Sequence, residues 1–169
     1  MQHKIVSELA RNKAVFEGLL TGLDQEAYLW KVQPDKWCLL EIICHLYDEE
    51  REDFRARVRL VLESPEEHHP SIDPQAWVKS RKYIEQDFQS KLESFLKERE
   101  ISVAWLESLE DPKWHNTYNH PKVGPLTAGF FLSNWLAHDY LHIRQITRLK
   151  YDYLGHTSGN VLDYAGNWI

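Results

Sequence analysis

The sequence predicts an all-α protein that folds as a four-helix bundle. Four long segments repeat apolar residues at helical spacing, whereas no segment alternates convincingly between apolar and polar residues as a β-strand would. Proline, glycine and aspartate mark the connections between these segments. The pattern fits either an up-and-down bundle or one with a crossover connection. Because the 169 residues contain no linker or repeat, the whole chain, 1–169, is expected to be one domain.

The first two helices are predicted over about residues 2–20 and 39–63. Gly22 suits a C-terminal cap just beyond the first helix. The second helix stops before Pro65, since proline cannot continue a helix. The proline-containing stretch 66–74 is therefore expected to be a connection.

The third helix is predicted to begin near residues 75–79 and to extend to about Leu109, where Asp111 and Pro112 end it. We expect the charged stretch 97–100 in its middle to bend or fray. Asparagine, proline and glycine recur in the next thirteen residues, which are expected to form a long loop or a short hairpin.

The fourth helix is predicted over about residues 126–150. The remaining tail, 151–169, combines three glycines with several apolar side chains. Because those side chains gain free energy by leaving water, the tail is expected to pack back on the body of the bundle.

Composition narrows the partners and the location of the protein. The net charge is −6 and no basic stripe stands out, so nucleic acid is not expected as a partner. No apolar stretch is long enough to cross a bilayer and no signal-peptide pattern precedes the first helix, so we expect no membrane partner and a cytoplasmic protein. Its two cysteines, Cys38 and Cys44, are then expected to be reduced packing residues.

Two histidines of the fourth helix are the most informative feature of the sequence. His138 and His142 are four residues apart, so a helix places their imidazoles on adjacent turns of one face, where they can chelate one metal ion. The same stripe carries Trp135, Gln145 and Leu149, which indicates that it points inward. The alternative is a pair of core histidines hydrogen-bonded to a backbone carbonyl or a carboxylate.

His45 is the candidate third ligand, and two polar residues lie close to these histidines in sequence. The apolar pattern of the second helix places His45 to one side, which favours either a surface histidine or a ligand at the mouth of a pocket. Glu49, one turn further, could accept a hydrogen bond from a ligand or shuttle protons, or else be a solvated carboxylate. Gln145 could orient a ligand or line the pocket. Trp37 and Trp135 could wall the cavity, although simple packing explains both.

A zinc protease is the obvious rival interpretation, and it is disfavoured. The H-E-x-x-H motif of such enzymes uses glutamate as general base, whereas Asp139 occupies that position and is one methylene shorter. No downstream Gly-x-x-His follows at the required spacing. The remaining histidines are expected to be solvated or on surface loops, among them His68, His69, His115 and His120.

The chain resembles the DinB/YfiT-like superfamily of metal-binding four-helix bundles. The resemblance covers roughly residues 5–150, and the tail after Tyr153 has no match. It is carried by two short motifs in order along the chain: Trp37, Glu41-Ile42, His45-Leu46, Asp48 and Glu49, then Gly124, Leu126-Thr127, His138-Asp139, His142 and Gln145-Ile146.

The resemblance implies a bundle with a crossover connection, often a homodimer, and a divalent metal site at His45, His138 and His142. Zinc or nickel is the expected ion. Activities in similar families are bacillithiol transfer and mycothiol-dependent maleylpyruvate isomerisation. The resemblance therefore implies a small-molecule substrate and either a transferase that uses a low-molecular-weight thiol or a hydrolase. Three histidines leave an ion one open position for water or substrate. The alternative is a non-enzymatic metal-binding or stress-response module with a structural or ligand-binding metal.

Overall fold

Four long helical segments form the bundle in the computed structural model, which describes residues 1–166 and 168. They are α1 (Gln2–Leu20), a segment built from α3 (Leu39–Glu49), a π-helical stretch (Glu50–Phe54) and α4 (Arg55–Glu63), then α6 (Phe88–Glu107) and α7 (Ala128–Ser158). The shorter elements are α2 (Gln25–Leu29), α5 (Pro74–Ser80), the 3₁₀ turns Tyr83–Glu85 and Asp163–Ala165, and the antiparallel hairpin of β1 (Thr117–His120) and β2 (Gly124–Thr127). The predicted helical bundle is therefore confirmed. Of the two alternatives expected between the third and fourth helices, a long loop or a short hairpin, the structure has the hairpin.

The helices are arranged with two crossover connections. Helix α1 packs mainly against α6 and α7, and the α3–π–α4 segment also packs against both. The first and second long segments therefore lie diagonally across the bundle from each other, and so do the third and fourth. This arrangement differs from an up-and-down bundle, in which consecutive helices are neighbours, and it confirms the predicted crossover.

A layer of buried polar side chains divides the apolar core into two clusters. One cluster includes Phe16, Ile42 and Phe95, and the other includes Leu9, Val58 and Leu132. On each long helical segment one polar residue of the layer lies between the two apolar sets; these residues are Asn12, Glu50, Arg99 and Asp139. The buried His45 and His142 and the half-buried His138 adjoin this layer.

Arg99 is the centre of this layer, and all five of its N–H donors are used. Its guanidinium donates to both carboxylate oxygens of Glu50 at 2.9 Å and to both of Asp139 at 2.6 and 2.7 Å, and to the carbonyl of Leu9 at 3.2 Å. Asn12 donates to Asp139 at 3.0 Å and the indole of Trp135 donates to Glu50 at 2.9 Å. The network therefore joins all four long helical segments in a region that excludes water.

The predicted third helix is wrong in its first half. Instead of one continuous helix from about residue 75, α5 ends at Ser80, Lys82 takes a left-handed conformation with φ 49°, and α6 begins only at Phe88. Asp48 of α3 accounts for the break, because it accepts a hydrogen bond from the Tyr83 hydroxyl at 2.6 Å and pairs with Arg81 at 2.9 Å. The predicted bend at residues 97–100 is also wrong, since α6 is regular there.

Helix α7 is longer than predicted and takes up the start of the predicted tail. It begins two residues later than expected and continues to Ser158, where Gly159 at φ +66° ends it. The last residues then return toward the bundle. Leu162 lies 3.6 Å from the position that a side chain on Gly155 would occupy, and the ring of Trp168 lies 5.3 Å from that of Tyr151. Asn167 and Ile169, the rest of the predicted tail, lie outside the described residues.

Within residues 1–166 and 168, none of the helices combines the length and the apolar character needed to cross a bilayer. Both cysteines are buried and unpaired by any disulfide, as predicted.

Candidate metal centre

Three histidines from two helices converge at one point of the polar layer. The Nε2 atom of His138 lies 3.2 Å from Nε2 of His45 and 3.0 Å from Nε2 of His142. All three histidines offer a ligand atom within 4.8 Å of one another. The structure therefore brings together the three residues predicted as metal ligands, with His45 supplied by α3 and the other two by adjacent turns of α7.

His45 is buried and borders a cavity, so the surface alternative for this histidine is wrong and the alternative of a ligand beside a pocket agrees with the structure. Ten of the eleven residues of α3 are buried, because α2, α5 and the turn at Tyr83 cover the side of α3 that does not face α6 and α7. The sequence pattern of α3 alone could not show this covering. The ring of Trp37 lies 5.0 Å from that of His45, and the ring of Phe54 lies 4.8 Å from that of His138.

Hydrogen bonding among the rings does not account for this arrangement. A neutral imidazole nitrogen carries either one proton or one in-plane lone pair, so Nε2 of His138 can make only one good hydrogen bond to its two close neighbours. A single ion would satisfy all three atoms. With metal–nitrogen bonds of about 2.1 Å, two nitrogens bonded to one ion at 90–109° are about 3.0–3.4 Å apart, and both short distances lie in that interval.

Burial keeps the three rings neutral at physiological pH. It is the main cause that lowers the pKa of His45 to about 3, of His138 to about 2 and of His142 to about 4. The neighbouring histidines lower the first two further, whereas the side chain of Gln145, as an acceptor near the ring, partly opposes the shift of His142. Because a metal ligand must be an unprotonated nitrogen, the histidines are already in the form that an ion requires.

The buried Nδ1 atoms of His45 and His142 have no hydrogen-bond partner in the described part of the chain. A histidine that binds metal through Nε2 keeps its proton on Nδ1. Among the residues that the structure describes, no donor faces either Nδ1 and forces the proton onto Nε2, so Nε2 of each ring is free to bind an ion. The side chains present therefore fit a bound divalent ion.

Glu49 is buried rather than solvated, and it faces Asp53. Burial, followed by the charge of Asp53 and a hydrogen bond with it, raises the pKa of Glu49 to about 8. Arg57, which pairs with Asp53, opposes this shift. Within residues 1–166 and 168 no hydrogen bond joins Glu49 to the histidines, and its Oε1 has no partner. A role for Glu49 at the metal stays a prediction.

Gln145 lies at the mouth of the site. It borders a cavity of about 420 Å³ together with His45, His142 and Trp37, and the lining is completed by Asp35, Lys36 and Gln75. This placement agrees with the predicted role in lining a pocket. Trp135, by contrast, lies in the core against Phe54 and does not line this cavity.

Two residues of the polar layer were not foreseen from the sequence. Arg99 belongs to the charged stretch that was expected to bend or fray, and Glu50 follows Glu49 in a run of acidic residues. Asp139 acquires a definite role from them: its carboxylate is held by Arg99, so it is not available as the general base of the rival protease interpretation. These charged residues can be read from the sequence, but only the diagonal packing of the helices shows that they meet.

His69 also differs from the sequence-based expectation. It was expected to be solvated, but its ring is buried and stacks on Tyr118 at a centroid distance of 3.7 Å, and its Nδ1 lies 3.1 Å from Nη1 of Arg57. Burial is the main cause that lowers its pKa to about 4, with a smaller effect of Arg57. His68 and His115 are exposed, as expected.

Comparisons with known proteins agree with the fold and the order of these residues. YfiT from Bacillus subtilis, described as a probable metal-dependent hydrolase with an unusual four-helix bundle topology, matches with a TM-score of 0.79 and 19% sequence identity over 90% of this chain and 87% of that chain. A comparison with curated proteins found no match. A model of the DinB superfamily matches residues 8–146, which include all three histidines of the site. Because that match spans most of the chain, the protein belongs to the DinB superfamily.

Proposed function

We propose that His45, His138 and His142 bind one divalent metal ion and that the protein is a metal-dependent hydrolase acting on a small molecule. The convergence of three buried, neutral histidine nitrogens on one point carries the proposal. The description of YfiT as a probable metal-dependent hydrolase supports the choice of reaction, since that protein shares the fold.

The donor set favours a catalytic ion over a structural one. Structural zinc sites are closed by four protein ligands, whereas catalytic sites keep a position open. In the part of the chain that the structure describes, the potential ligand cluster contains three histidines, and two of them border the 420 Å³ cavity. When bound, a divalent ion would act as a Lewis acid and activate a nucleophile at neutral pH.

The side chains around the cluster fix the ligands, shield the site and can contact the substrate. His138 and His142 are fixed because α7 holds them on adjacent turns, while Arg99 anchors the intervening Asp139 to two other helices. Trp37 shields His45 on the cavity side. Gln145 can hydrogen-bond a substrate at the mouth, and the buried Glu49 can hold or release a proton near neutral pH because its pKa is raised to about 8.

Transfer of a low-molecular-weight thiol is the second candidate function. Three neutral ligands leave the full charge of a divalent ion uncompensated, and such an ion favours a bound thiol in its deprotonated, nucleophilic form. Neither Cys38 nor Cys44 can supply that thiol, because both are buried and burial raises the pKa of each to about 11 and about 12 respectively. A thiol substrate would therefore enter from solution.

Metal analysis and activity assays test the proposal together. Protein purified without a histidine tag is expected to contain about one divalent ion per chain, and His45→Ala, His138→Ala and His142→Ala are each expected to lose it. His115→Ala is the matched control, since His115 is exposed and outside the cluster. Retention of metal by all three site variants would overturn the metal assignment.

Two assays then distinguish the candidate activities. Chromogenic esters and amides report hydrolysis, and conjugation of a small thiol to a chloroarene electrophile reports the transferase. Hydrolysis that disappears on chelation and returns on reloading supports the hydrolase, and conjugation with the same behaviour supports the transferase. Equal rates with and without metal in both assays would contradict a catalytic ion.

A further inference from the structure

We propose that a groove beside the metal centre binds small molecules that combine an apolar body with a carboxylate or similar anionic group. This inference deepens the proposed function by naming a substrate class for the same site, and it rests on that function. The groove has a volume of about 560 Å³, which lies in the range of pockets for small ligands.

The groove and the metal-centre cavity are adjoining. They share three lining residues, Lys36, Trp37 and Gln145. Gln145 follows His142 by three residues on α7 and lines the 420 Å³ cavity with it, so the boundary between the two spaces lies beside the histidine cluster. A ligand in the groove can therefore extend past Gln145 toward the histidines.

The walls of the groove are apolar. Trp37 forms one wall, and Leu141 and Leu149 contribute from α7. Leu141 is 61% exposed and Val32, on the opposite rim, is 48% exposed. Covering such exposed apolar surface with the apolar body of a ligand is favourable because it removes that surface from water.

The charged residues of the groove are predominantly basic, in a chain whose net charge is −6. Lys36, Arg144 and Arg148 line it, against one acid, Asp152. Arg148 already donates to both carboxylate oxygens of Asp152 at 2.9 Å. Among the described residues no carboxylate lies within salt-bridge distance of Arg144, so its guanidinium is free to bind an anion in a bidentate manner.

The position of the basic residues on α7 indicates the path of the ligand. Arg144 and Arg148 lie about 3 and 9 Å from His142 along the helix axis, and Arg144 is turned about 200° around that axis from His142. A ligand with its anionic group at Arg144 therefore reaches the histidines across Trp37 and Gln145, which line both spaces.

A matched set of probes tests the inference by calorimetry on metal-loaded protein. 4-Phenylbutyrate is expected to bind at least about tenfold more tightly than 4-phenyl-1-butanol, because a charged, bidentate hydrogen bond is among the stronger polar contacts. Arg144→Gln is expected to remove most of this preference while keeping the metal content, and Leu141→Ser is expected to weaken both probes. Arg11→Gln is the control, as Arg11 is a surface arginine of α1 that pairs with Glu8.

The outcomes separate this inference from the proposed function. Arg144-dependent preference for the carboxylate that persists after chelation supports the groove, whatever the metal does. Equal affinity for the two probes, or a preference that Arg144→Gln leaves unchanged, would overturn the groove assignment. Concentration-dependent dimerisation that Leu141→Ser abolishes, without probe binding, would also overturn it, because the groove would then be an interface with a second copy of the chain.

Discussion

Arg99 of α6 holds the carboxylate of Asp139 of α7 through two hydrogen bonds across the centre of the bundle. Both side chains are at most 1% exposed. Arg99→Met would leave the carboxylates of Asp139 and Glu50 buried without their cation, so we expect it to reduce the free energy of unfolding by about 3–5 kcal/mol. Urea unfolding followed by circular dichroism measures the effect.

Arg11→Met is the matched control for the arginine substitution. Arg11 is 70% exposed and pairs with Glu8 on the surface of α1, and exposed ion pairs typically contribute less than about 1 kcal/mol. If Arg99→Met were no more destabilising than this control, the buried layer would not be a stabilising ionic network.

Chelation is expected to lower the melting temperature of the wild-type protein. An ion that binds the folded chain at about 100 times its Kd stabilises it by about 2.7 kcal/mol, which corresponds to a shift on the order of 5–10 °C for a domain of this size. His138→Ala and His142→Ala should show no shift on chelation, whereas His115→Ala should behave as wild type. Scanning fluorimetry is sufficient, and an equal shift in all variants would argue against the site.

Glu49 should make the protein less stable as the pH rises. Its pKa is about 8 in the folded protein, against 4.5 for an unperturbed glutamate, so between these values the folded state holds a proton that the unfolded state has released. Stability from this group is therefore present below pH 4.5 and is lost as the pH rises through 8. Glu49→Gln removes the effect, and the gain in stability over wild type should be roughly 3 kcal/mol larger at pH 7 than at pH 5.

The control for that measurement is Glu107→Gln, because Glu107 is exposed on α6. Its stability relative to wild type should be the same at both pH values. A constant difference between Glu49→Gln and wild type across the same interval would show that Glu49 ionises normally in the folded protein.

Cys38 and Cys44 should resist alkylation until the protein unfolds. Both thiols are buried, and burial is the main cause of their raised pKa, so little thiolate is present or accessible at neutral pH. Iodoacetamide is expected to modify them about 100-fold more slowly in buffer than in concentrated urea, as followed by intact-mass spectrometry. Rapid modification of either thiol in buffer would contradict the packing described for α3 and its N-terminus.

The parts of the structure that depend on local signals were predictable. Gly22 and Pro65 mark real ends of helical segments, and the pair His138–His142 could be recognised because i and i+4 residues share a face of any helix. Two of the three proposed ligands were therefore predictable from their spacing on α7, and the family resemblance added the third, His45.

The parts that depend on long-range packing were not predictable in the same way. The burial of His45 requires the covering by α2 and α5, and the break before α6 requires Asp48 of another helix. Arg99 belongs to a charged stretch that is typical of a solvated surface, and only the arrangement of four helices shows that it is enclosed. Sequence periodicity describes one helix at a time and contains no information about which helices meet.

The π-helical stretch at Glu50–Phe54 restricts how this chain can change in length over evolution. Its backbone includes a hydrogen bond from Arg55 to the carbonyl of Glu50, five residues back, so it accommodates one residue more than a regular helical turn. Deleting one residue there would give a regular helix with α3 and α4 in nearly the same relative orientation, whereas one residue added to the regular helix beside it would rotate α3 by about 100° relative to α4 and turn His45 away from α7. We therefore expect related chains to differ in length in the connection 64–73, where added residues cost little, and to lack insertions between His45 and Val58.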